Sequence, residues 1–201
     1  MIIEHQGKRP HIDRSAYIAP NATISGDVTI GPDTRVLFGA VITSEGGPVV
    51  IGSNCVIMEN AVIRGTKHHP ATLGDHILVG PRAYLSGCTI EDSVFLATGA
   101  TIFNGAVVGK GSTVRINGVL HIKSRLPEDS VVPINWVAVG DPAEILPPNK
   151  HDSIWAIQKE LNFPGEVFGL ERVRGTALMP QMTEIYCRAL SRHHDDKLIS
   201  D

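Results

Sequence analysis

The chain has 201 residues, of which 42% are hydrophobic, 19% charged and 5% aromatic, and its formal net charge is −3 at pH 7. This composition is too apolar for a disordered chain and too poor in charged residues for a coiled coil. The small net charge argues against a nucleic-acid or anionic-membrane partner, and no apolar run approaches the roughly 18 residues of a membrane span.

The first elements in chain order are a short lead-in, residues 1–11, and the scattered cysteines. The N-terminal residues lack the charged-then-apolar layout of a secretory signal peptide. Cys55, Cys88 and Cys187 form neither a CxxC motif nor an even disulfide framework. We therefore expect a protein of the reducing cytoplasm.

Residues 12–126 carry a repeat in which aliphatic residues recur at intervals of six, a period that fits neither a helix nor simple strand alternation. The repeated positions are Ile12, Ile18, Ile24, Ile30, Val36, Ile42, Ile51, Ile57, Ile63, Leu73, Val79, Leu85, Ile90, Leu96, Ile102, Val108, Val114 and Leu120. Glycine, Asn, Asp and Pro fill the places between them, where turns with positive φ cost little. A short strand and a turn in every six residues, with three such units per coil, predict an all-β left-handed parallel β-helix of about six coils. A β-sandwich would have less regular spacing.

Two segments follow the repeat. Residues 127–150 form a Pro-rich connection, and residues 151–201 form a C-terminal helical extension. Asp152 or Ser153 is suited to cap a first short amphipathic helix. A second helix is predicted from about Thr176 to Asp195, with Pro180 in its first turn. We expect these α-helices to pack along the prism or on a neighbouring subunit.

Irregularities in the repeat fall at one corner of the predicted prism. With the faces named A, B and C in order from Ile12, three extra residues precede Ile51, four precede Leu73, and one residue is missing before Ile90. All three changes lie between face C and face A of consecutive coils. Local loop variation on a regular scaffold is the usual way in which a functional site is added. Arg64 and Ser86 follow face-C residues of adjacent coils, so they should be neighbours on this corner.

These features resemble the γ-class carbonic anhydrase family of hexapeptide-repeat proteins over about residues 10–147. Residues 79–90 read VGPRAYLSGCTI, where the family pattern has VGH, three further residues and LHGCTI. The shortened repeat after this segment matches as well, and residues 139–143, VGDPA, resemble the family's terminal signature. The resemblance implies a homotrimer with zinc sites at the subunit interfaces, each formed by two histidines of one subunit and one of its neighbour.

The zinc ligands implied by the resemblance are replaced in this chain. The three histidine positions become Arg64, Pro81 and Ser86. Arginine does not deprotonate to ligate a metal, proline has no donor atom, and a serine hydroxyl does not substitute for a neutral imidazole on zinc. Of the acidic residues near the family site, Glu45 and Glu59 remain. We therefore expect no zinc at the family site and no hydration of CO₂ by zinc-bound hydroxide.

Several residues around this corner are candidates for a different chemistry. Arg64 could bind a substrate carboxylate or phosphate with its planar fork, or form an intersubunit ion pair with Glu59 or Glu45. Ser86 could be a nucleophile if a base lies within reach; otherwise it is a solvated hydroxyl. Tyr84, with Glu45 and Glu59, could contact a substrate, or simply pack.

Histidines supply the remaining candidates. His68 and His69, on the second insertion, could act as the acid or base of a reaction, or be exposed loop residues. Together with His76 and His121 they could also build a relocated metal site. Cys88 is expected to be a buried packing residue and not a reactive thiol.

Three functions remain open at this stage. The first is a divergent enzyme acting on a small anionic molecule at the subunit interface. The second is a CoA-dependent acyltransferase, another activity mounted on hexapeptide-repeat folds, although fold alone does not transfer function. The third is a non-catalytic scaffold or binding subunit that uses the C-terminal extension, with Trp155 and the turn at residues 163–165, to dock a partner.

Overall fold

A computed structural model describes residues 1–171 and 178–199. The protein is a hexapeptide-repeat left-handed β-helix in the form of a triangular prism, followed by helices. This confirms the predicted fold class. Within the described ranges no helix is long and apolar enough to cross a membrane.

The three prism faces are parallel sheets. Face A contains β2 (His11–Ile12), β5 (Val28–Ile30), β8 (Val49–Ile51), β11 (Ala71–Leu73), β14 (Thr89–Ile90), β17 (Val107–Val108) and β20 (Arg125–Leu126). Face B contains β3 (Tyr17–Ile18), β6 (Arg35–Val36), β9 (Val56–Ile57), β12 (Leu78–Val79), β15 (Phe95–Leu96), β18 (Thr113–Val114) and β21 (Val131–Val132). Face C contains β1 (Ile2–Glu4), β4 (Thr23–Ser25), β7 (Val41–Glu45), β10 (Val62–Thr66), β13 (Tyr84–Ser86), β16 (Thr101–Ile102), β19 (Val119–Leu120) and β22 (Val137–Val139).

The repeated aliphatic residues stack inside the prism in the predicted register. Ile42, Ile63 and Leu85 are paired across neighbouring strands of face C, and each is fully buried. The burial of this continuous aliphatic column is the main favourable contribution to the fold, at about 25 cal/mol per Å² of apolar surface. Turn residues such as Asn60 and Asn117 adopt positive φ, as the turn chemistry requires.

The β-helix is longer than the sequence indicated. We predicted a repeat over residues 12–126 with about six coils, but β1 already pairs in parallel with β4, and β21 and β22 continue the stacking to Val139. Within the described residues face C has ten strands, of which the two outer ones are antiparallel and the other eight parallel. The Pro-rich connection is therefore partly β-helix: Leu126, Val132 and Ala138 keep the spacing of six and are fully buried.

The C-terminal segment covers both ends of face C. The antiparallel strand β23 (Glu144–Leu146) pairs with β22, and α1 (His151–Gln158), a 3₁₀ turn (Lys159–Leu161) and α2 (Phe163–Phe168) follow. Helix α3 (Leu178–Leu190) continues into a 3₁₀ turn (Ser191–Asp195), and β24 (Lys197–Ile199) pairs antiparallel with β1.

The start of the first helix differs from the prediction, and the start of the second cannot be compared with it. Helix α1 begins at His151, before the predicted caps Asp152 and Ser153, because a backbone turn from Lys150 to the carbonyl of Pro147 leads directly into it. The predicted start of the second helix, near Thr176, lies outside the described residues, while its end near Asp195 agrees with the 3₁₀ turn.

Candidate functional site

The two insertions extend face C beyond the edge of the prism. Strands β7 and β10 run on to Glu45 and Thr66, with Arg64 paired to Thr43 and Thr66 paired to Glu45. Backbone hydrogen bonds between Thr66 and His69 close the second insertion into a tight turn. The irregular corner predicted from the sequence is thus a projecting two-stranded wall that can line a site.

Helices α2 and α3 lie over this wall and form with it a partly open cavity of about 470 Å³. Its lining comes from the insertions, from face C and from both helices. The lining residues are Glu45, Arg64, Thr66, Lys67, His68, His69, Tyr84, Ser86, Phe103, Asn104, Phe163, Glu166, Val167, Phe168, Gly169, Ile185, Tyr186 and Ala189. The cavity volume is in the range of sites for small organic molecules.

Arg64 is the more buried of two cationic side chains that line the cavity, the other being Lys67. Nη2 of Arg64 lies 3.9 Å from Oε1 of Glu45 in the same chain, and the Arg64 side chain is 25% exposed. An ion pair at this separation is loose and leaves guanidinium donors for another partner. Within one chain Arg64 thus lies beside Glu45, and the predicted ion pair with Glu59 or Glu45 of a neighbouring subunit stays a prediction.

Ser86 lies beside Arg64 on the next strand, as the repeat predicted. Ser86 is only 5% exposed because it lines the covered cavity. In the described part of the chain no side chain hydrogen-bonds to its hydroxyl. Activation of a serine nucleophile needs such a base, so a nucleophilic role of Ser86 stays a prediction.

The two insertion histidines have different environments. Nε2 of His69 lies 2.7 Å from Oε1 of Glu166 on α2, and Nζ of Lys123 lies 2.8 Å from the other oxygen. These hydrogen bonds, first that from Lys123, lower the pKa of Glu166 although its partial burial acts in the opposite direction. His68 is exposed and faces the cavity. His69 is thus occupied by a helix contact, whereas His68 has no hydrogen-bond partner in the described ranges.

Aromatic side chains form the apolar side of the cavity. Tyr84 and Phe103 meet edge to face at 6.4 Å on face C. Phe168 of α2 meets Tyr186 of α3 at 5.2 Å in the same manner. A cation and an acidic side chain on one wall thus face aromatic rings on the others, which suits a molecule with a charged group and an apolar body.

Other predicted site residues lie elsewhere. Glu59 and Pro81 follow strands of face B and do not line the cavity of this chain. His76 is an exposed turn residue with positive φ. His121 is 9% exposed, its ring centroid lies 5.9 Å from that of Phe103, and burial lowers its pKa.

The proposed relocation of a metal to the four histidines is not supported. Among the described residues, the group of three or more ligand-type side chains that could surround an ion is His5, His193 and Asp196, and it contains none of the four. The residues at the family zinc positions do not fit a metal either. Arg64 and Ser86 are adjacent, but a guanidinium and a hydroxyl offer zinc no imidazole nitrogen.

No pattern in the sequence indicates the group of His5, His193 and Asp196. Asp196 accepts a hydrogen bond from each histidine, and the two rings stack at 4.4 Å. The hydrogen bond that His193 donates to Asp196 raises the pKa of His193 against the effect of burial. Burial tends to raise the pKa of Asp196, but the bonds from His193 and His5 outweigh it and lower that pKa. No spacing motif could have indicated this contact, because His5 and Asp196 are 191 residues apart.

Comparisons with known proteins agree with this architecture. Gamma carbonic anhydrase 1, mitochondrial, of Arabidopsis thaliana is 34% identical over 145 residues, which are 69% of this chain and 50% of that protein. A carbonic anhydrase of Geobacillus kaustophilus is 33% identical over 111 residues, 55% of this chain and 61% of that protein. The chain thus spans about half the length of the first relative and three fifths of the second.

A solved structure extends the similarity to the fold. The hexapeptide transferase family protein from Anaplasma phagocytophilum is 25% identical and superposes with a TM-score of 0.52, covering 80% of this chain and 92% of that one. No family model matches the chain.

Proposed function

Because the chain is a γ-carbonic-anhydrase-like hexapeptide-repeat protein, we propose that it is a divergent enzyme that acts on a small anionic molecule and does not hydrate CO₂. The observation that carries the proposal is the position of Arg64. It stands where the resemblance implies a zinc ligand, yet it faces a covered cavity of about 470 Å³ that also has an aromatic lining.

The chemistry of the lining defines the ligand class. The Arg64 guanidinium can bind a carboxylate through two parallel hydrogen bonds, which are about twice as strong as neutral ones. Tyr84 and Phe103 on the prism and Phe168 on α2 offer ring surfaces to an apolar body. A small aromatic or aliphatic carboxylate matches both features, whereas CO₂ uses neither.

Acid–base chemistry is assigned to His68. It faces the cavity with no hydrogen-bond partner among the described residues, while His69 is bound to Glu166. An imidazole can give a proton to a bound molecule or take one from it. Ser86 and Glu45 contribute a hydroxyl and a carboxylate to the same wall.

A homotrimer is part of the proposal. Face B exposes four large apolar side chains in one column, with Leu78 and Phe95 adjacent and Tyr17 and Val131 further along it. An apolar stripe on a regular surface favours contact with a second copy of the chain. Glu59 and Pro81 follow strands of this face, so they would lie at the edge of the subunit contact. The scattered free cysteines fit the expected cytoplasmic location.

Light scattering tests the assembly. The exposed fraction of Phe95 is 44% on face B, and that of Val50 is 41% on face A, which provides a matched control. We expect the wild type and Val50→Asp to have the mass of a trimer and Phe95→Asp to dissociate. Equal masses for the two variants would contradict a face-B interface.

Paired probes test the ligand proposal. Benzoate and benzamide have the same shape, but only benzoate carries a charge. We expect benzoate to raise the melting temperature and to bind at least tenfold more tightly than benzamide. Arg64→Ala should weaken benzoate binding about 10- to 100-fold, because a hydrogen bond to a charged group contributes about 1.5–3 kcal/mol, and should leave the trimer intact.

Two controls complete this experiment. Arg64→Lys keeps the charge but not the planar fork, so it should recover part of the benzoate affinity. Lys110→Ala removes a cation from a site outside the cavity and should change nothing. The proposal that Arg64 binds the carboxylate is refuted if Arg64→Ala binds benzoate as the wild type does, or if the variant no longer forms a trimer.

A second candidate is CoA-dependent acyl transfer, which the similarity to a hexapeptide transferase family protein favours. Acetyl-CoA would then stabilise the protein by mass action. A shift in melting temperature with acetyl-CoA that persists in Arg64→Ala, together with none for benzoate, would favour this candidate over the first.

A further inference from the structure

The two ends of the chain meet at a cluster of polar side chains beside the first insertion. Nδ1 of His5, at the end of β1, lies 2.5 Å from Oδ1 of Asp196, which directly precedes β24. Nδ1 of His193 lies 2.8 Å from Oδ2 of the same carboxylate. The side chains are 4%, 21% and 34% exposed for His5, Asp196 and His193, respectively. Two imidazoles thus present the same nitrogen to one shielded carboxylate.

The outer nitrogens of both rings are also engaged. Nε2 of His193 lies 3.2 Å from Oε2 of Glu45, so it can donate its proton to that carboxylate. Nε2 of His5 lies 2.7 Å from the side-chain amide of Gln6, whose oxygen and nitrogen ends can be exchanged by a flip of the amide. With an ion bound and the amide oxygen turned inward, both Nε2 atoms would donate, and the Nδ1 lone pairs would face the ion in place of the protons that Nδ1 gives to Asp196 without it. This is the outer-shell arrangement of metal-bound histidines.

We propose that His5, His193 and Asp196 form a binding site for a divalent transition metal ion, with zinc as the best-suited ion. Their ligand atoms all lie within 4.8 Å of one another. Zinc with bonds of about 2.0–2.1 Å in tetrahedral geometry needs ligand atoms about 3.3 Å apart. The rings would therefore move away from the carboxylate by less than about 1 Å. Two imidazoles and one carboxylate leave a fourth position for water.

The site connects parts of the molecule that are remote in sequence. A bound ion would fasten the start of β24 to the end of β1, and β24 follows the helix that covers the cavity. Its outer-shell partner Glu45 also faces Arg64, so the ion would fix one wall of the cavity through His193. The inference goes beyond the proposed function and does not depend on which molecule the cavity binds.

The alternative is a metal-free clasp in which two histidines simply donate to Asp196. Zinc titration of the untagged, chelator-treated full chain by calorimetry distinguishes the two. We expect one equivalent of zinc per chain. His193→Ala and Asp196→Asn should each weaken zinc binding at least about 100-fold, more than the 10- to 100-fold typical of outer-shell changes. His194→Ala, next to the site but outside the group, serves as the matched control and should bind as the wild type does.

Two further measurements guard against misfolded variants. Cobalt added to the wild type should give the visible absorption of a tetrahedral site with nitrogen and oxygen ligands. Glu45→Gln leaves all three ligands in place and should weaken zinc binding about 10-fold. The proposal is overturned if the wild type shows no saturable zinc binding, or if His193→Ala and Asp196→Asn bind zinc as tightly as His194→Ala. Neither outcome bears on benzoate binding at Arg64.

Discussion

The imidazole of His69 lies 2.7 Å from the carboxylate of Glu166, and this contact joins the second insertion to helix α2. Lys123 of the prism binds the other carboxylate oxygen at 2.8 Å. A single acidic residue of the helix thus bridges two basic residues of the β-helix. Helix α2, which covers the cavity, is therefore positioned by polar contacts as well as by aromatic packing.

Glu166→Gln should weaken the attachment of helix α2 to the β-helix. The variant keeps the shape of the side chain but loses its charge, and partly exposed ion pairs contribute about 0–1 kcal/mol. We expect amide hydrogen exchange in α2 to become up to about fivefold faster, with the exchange of the prism strands unchanged. Glu171→Gln alters an exposed residue nearby and is the control. Equal exchange in α2 for both variants would show that the bridge does not stabilise the cover.

The effect of Glu166 should depend on pH. Its pKa is lowered in the folded protein, first by the hydrogen bond from Lys123, so its stabilising contribution is present above the unfolded-state pKa. The contribution is lost as the pH falls through the lowered folded-state pKa. Thermal melts of wild type and Glu166→Gln should therefore differ at pH 7 and converge in acid. A constant difference across this range would exclude the ionised carboxylate as the cause.

The repeat determined most of the fold from the sequence, because a period of six fixes which residues point inward and which strands are neighbours. The register of Ile42, Ile63 and Leu85 agrees with it. The last coils were missed because Pro127 and Pro133 were interpreted as an irregular connection. In the structure each directly follows a strand and opens a turn, where a residue without an N–H is tolerated.

The site was predictable only where it belongs to the repeat. The neighbours Arg64 and Ser86 followed from strand register. Helices α2 and α3 cover the cavity, and His5 contacts Asp196. Both sets of contacts join segments that the six-residue repeat does not relate to each other. Such contacts depend on tertiary packing, for which the local pattern carries no signal.

Gly47, in the first insertion, lies against the end of strand β10, which contains Gly65. A Cβ on Gly47 would overlap the carbonyl oxygen of Thr66, and one on Gly65 would overlap that of Gly47. Because these obstacles are backbone atoms, Gly47→Ala should destabilise the protein by about 1–3 kcal/mol. Gly7→Ala, which has open space and only a positive φ to accommodate, should cost about 1 kcal/mol. Chemical denaturation measures the free energy of unfolding of both variants. A Gly47→Ala variant no less stable than Gly7→Ala would contradict this close approach of the two backbone segments.

The three cysteines should differ sharply in reactivity. Cys55 and Cys88 are buried and Cys187 is exposed. Burial raises the pKa of Cys88 to about 12 and also raises that of Cys55, so neither forms the thiolate that reacts. A chromogenic disulfide reagent should modify one thiol per native chain, and Cys187→Ser should abolish that reaction. Rapid modification of two or more thiols in the wild type would show that the prism interior is accessible.

His121 should make the protein sensitive to mild acid. Its Nδ1 is buried without a hydrogen-bond partner in the described structure, and burial lowers its pKa in the folded state. Below the unfolded-state pKa of about 6.5 the unfolded chain binds more protons than the folded one, so stability falls as the pH decreases.

Replacement of His121 by an apolar residue tests this effect. At pH 7.5, His121→Leu should melt at or above the wild-type temperature, because it removes an unpartnered polar atom. Between pH 6.5 and pH 5 its melting temperature should fall less than that of the wild type. His151→Leu changes a histidine with an 82% exposed side chain and should keep the wild-type pH dependence. If His121→Leu and the wild type lose stability in parallel, the imidazole is protonated in the folded protein and its burial does not cause the acid sensitivity.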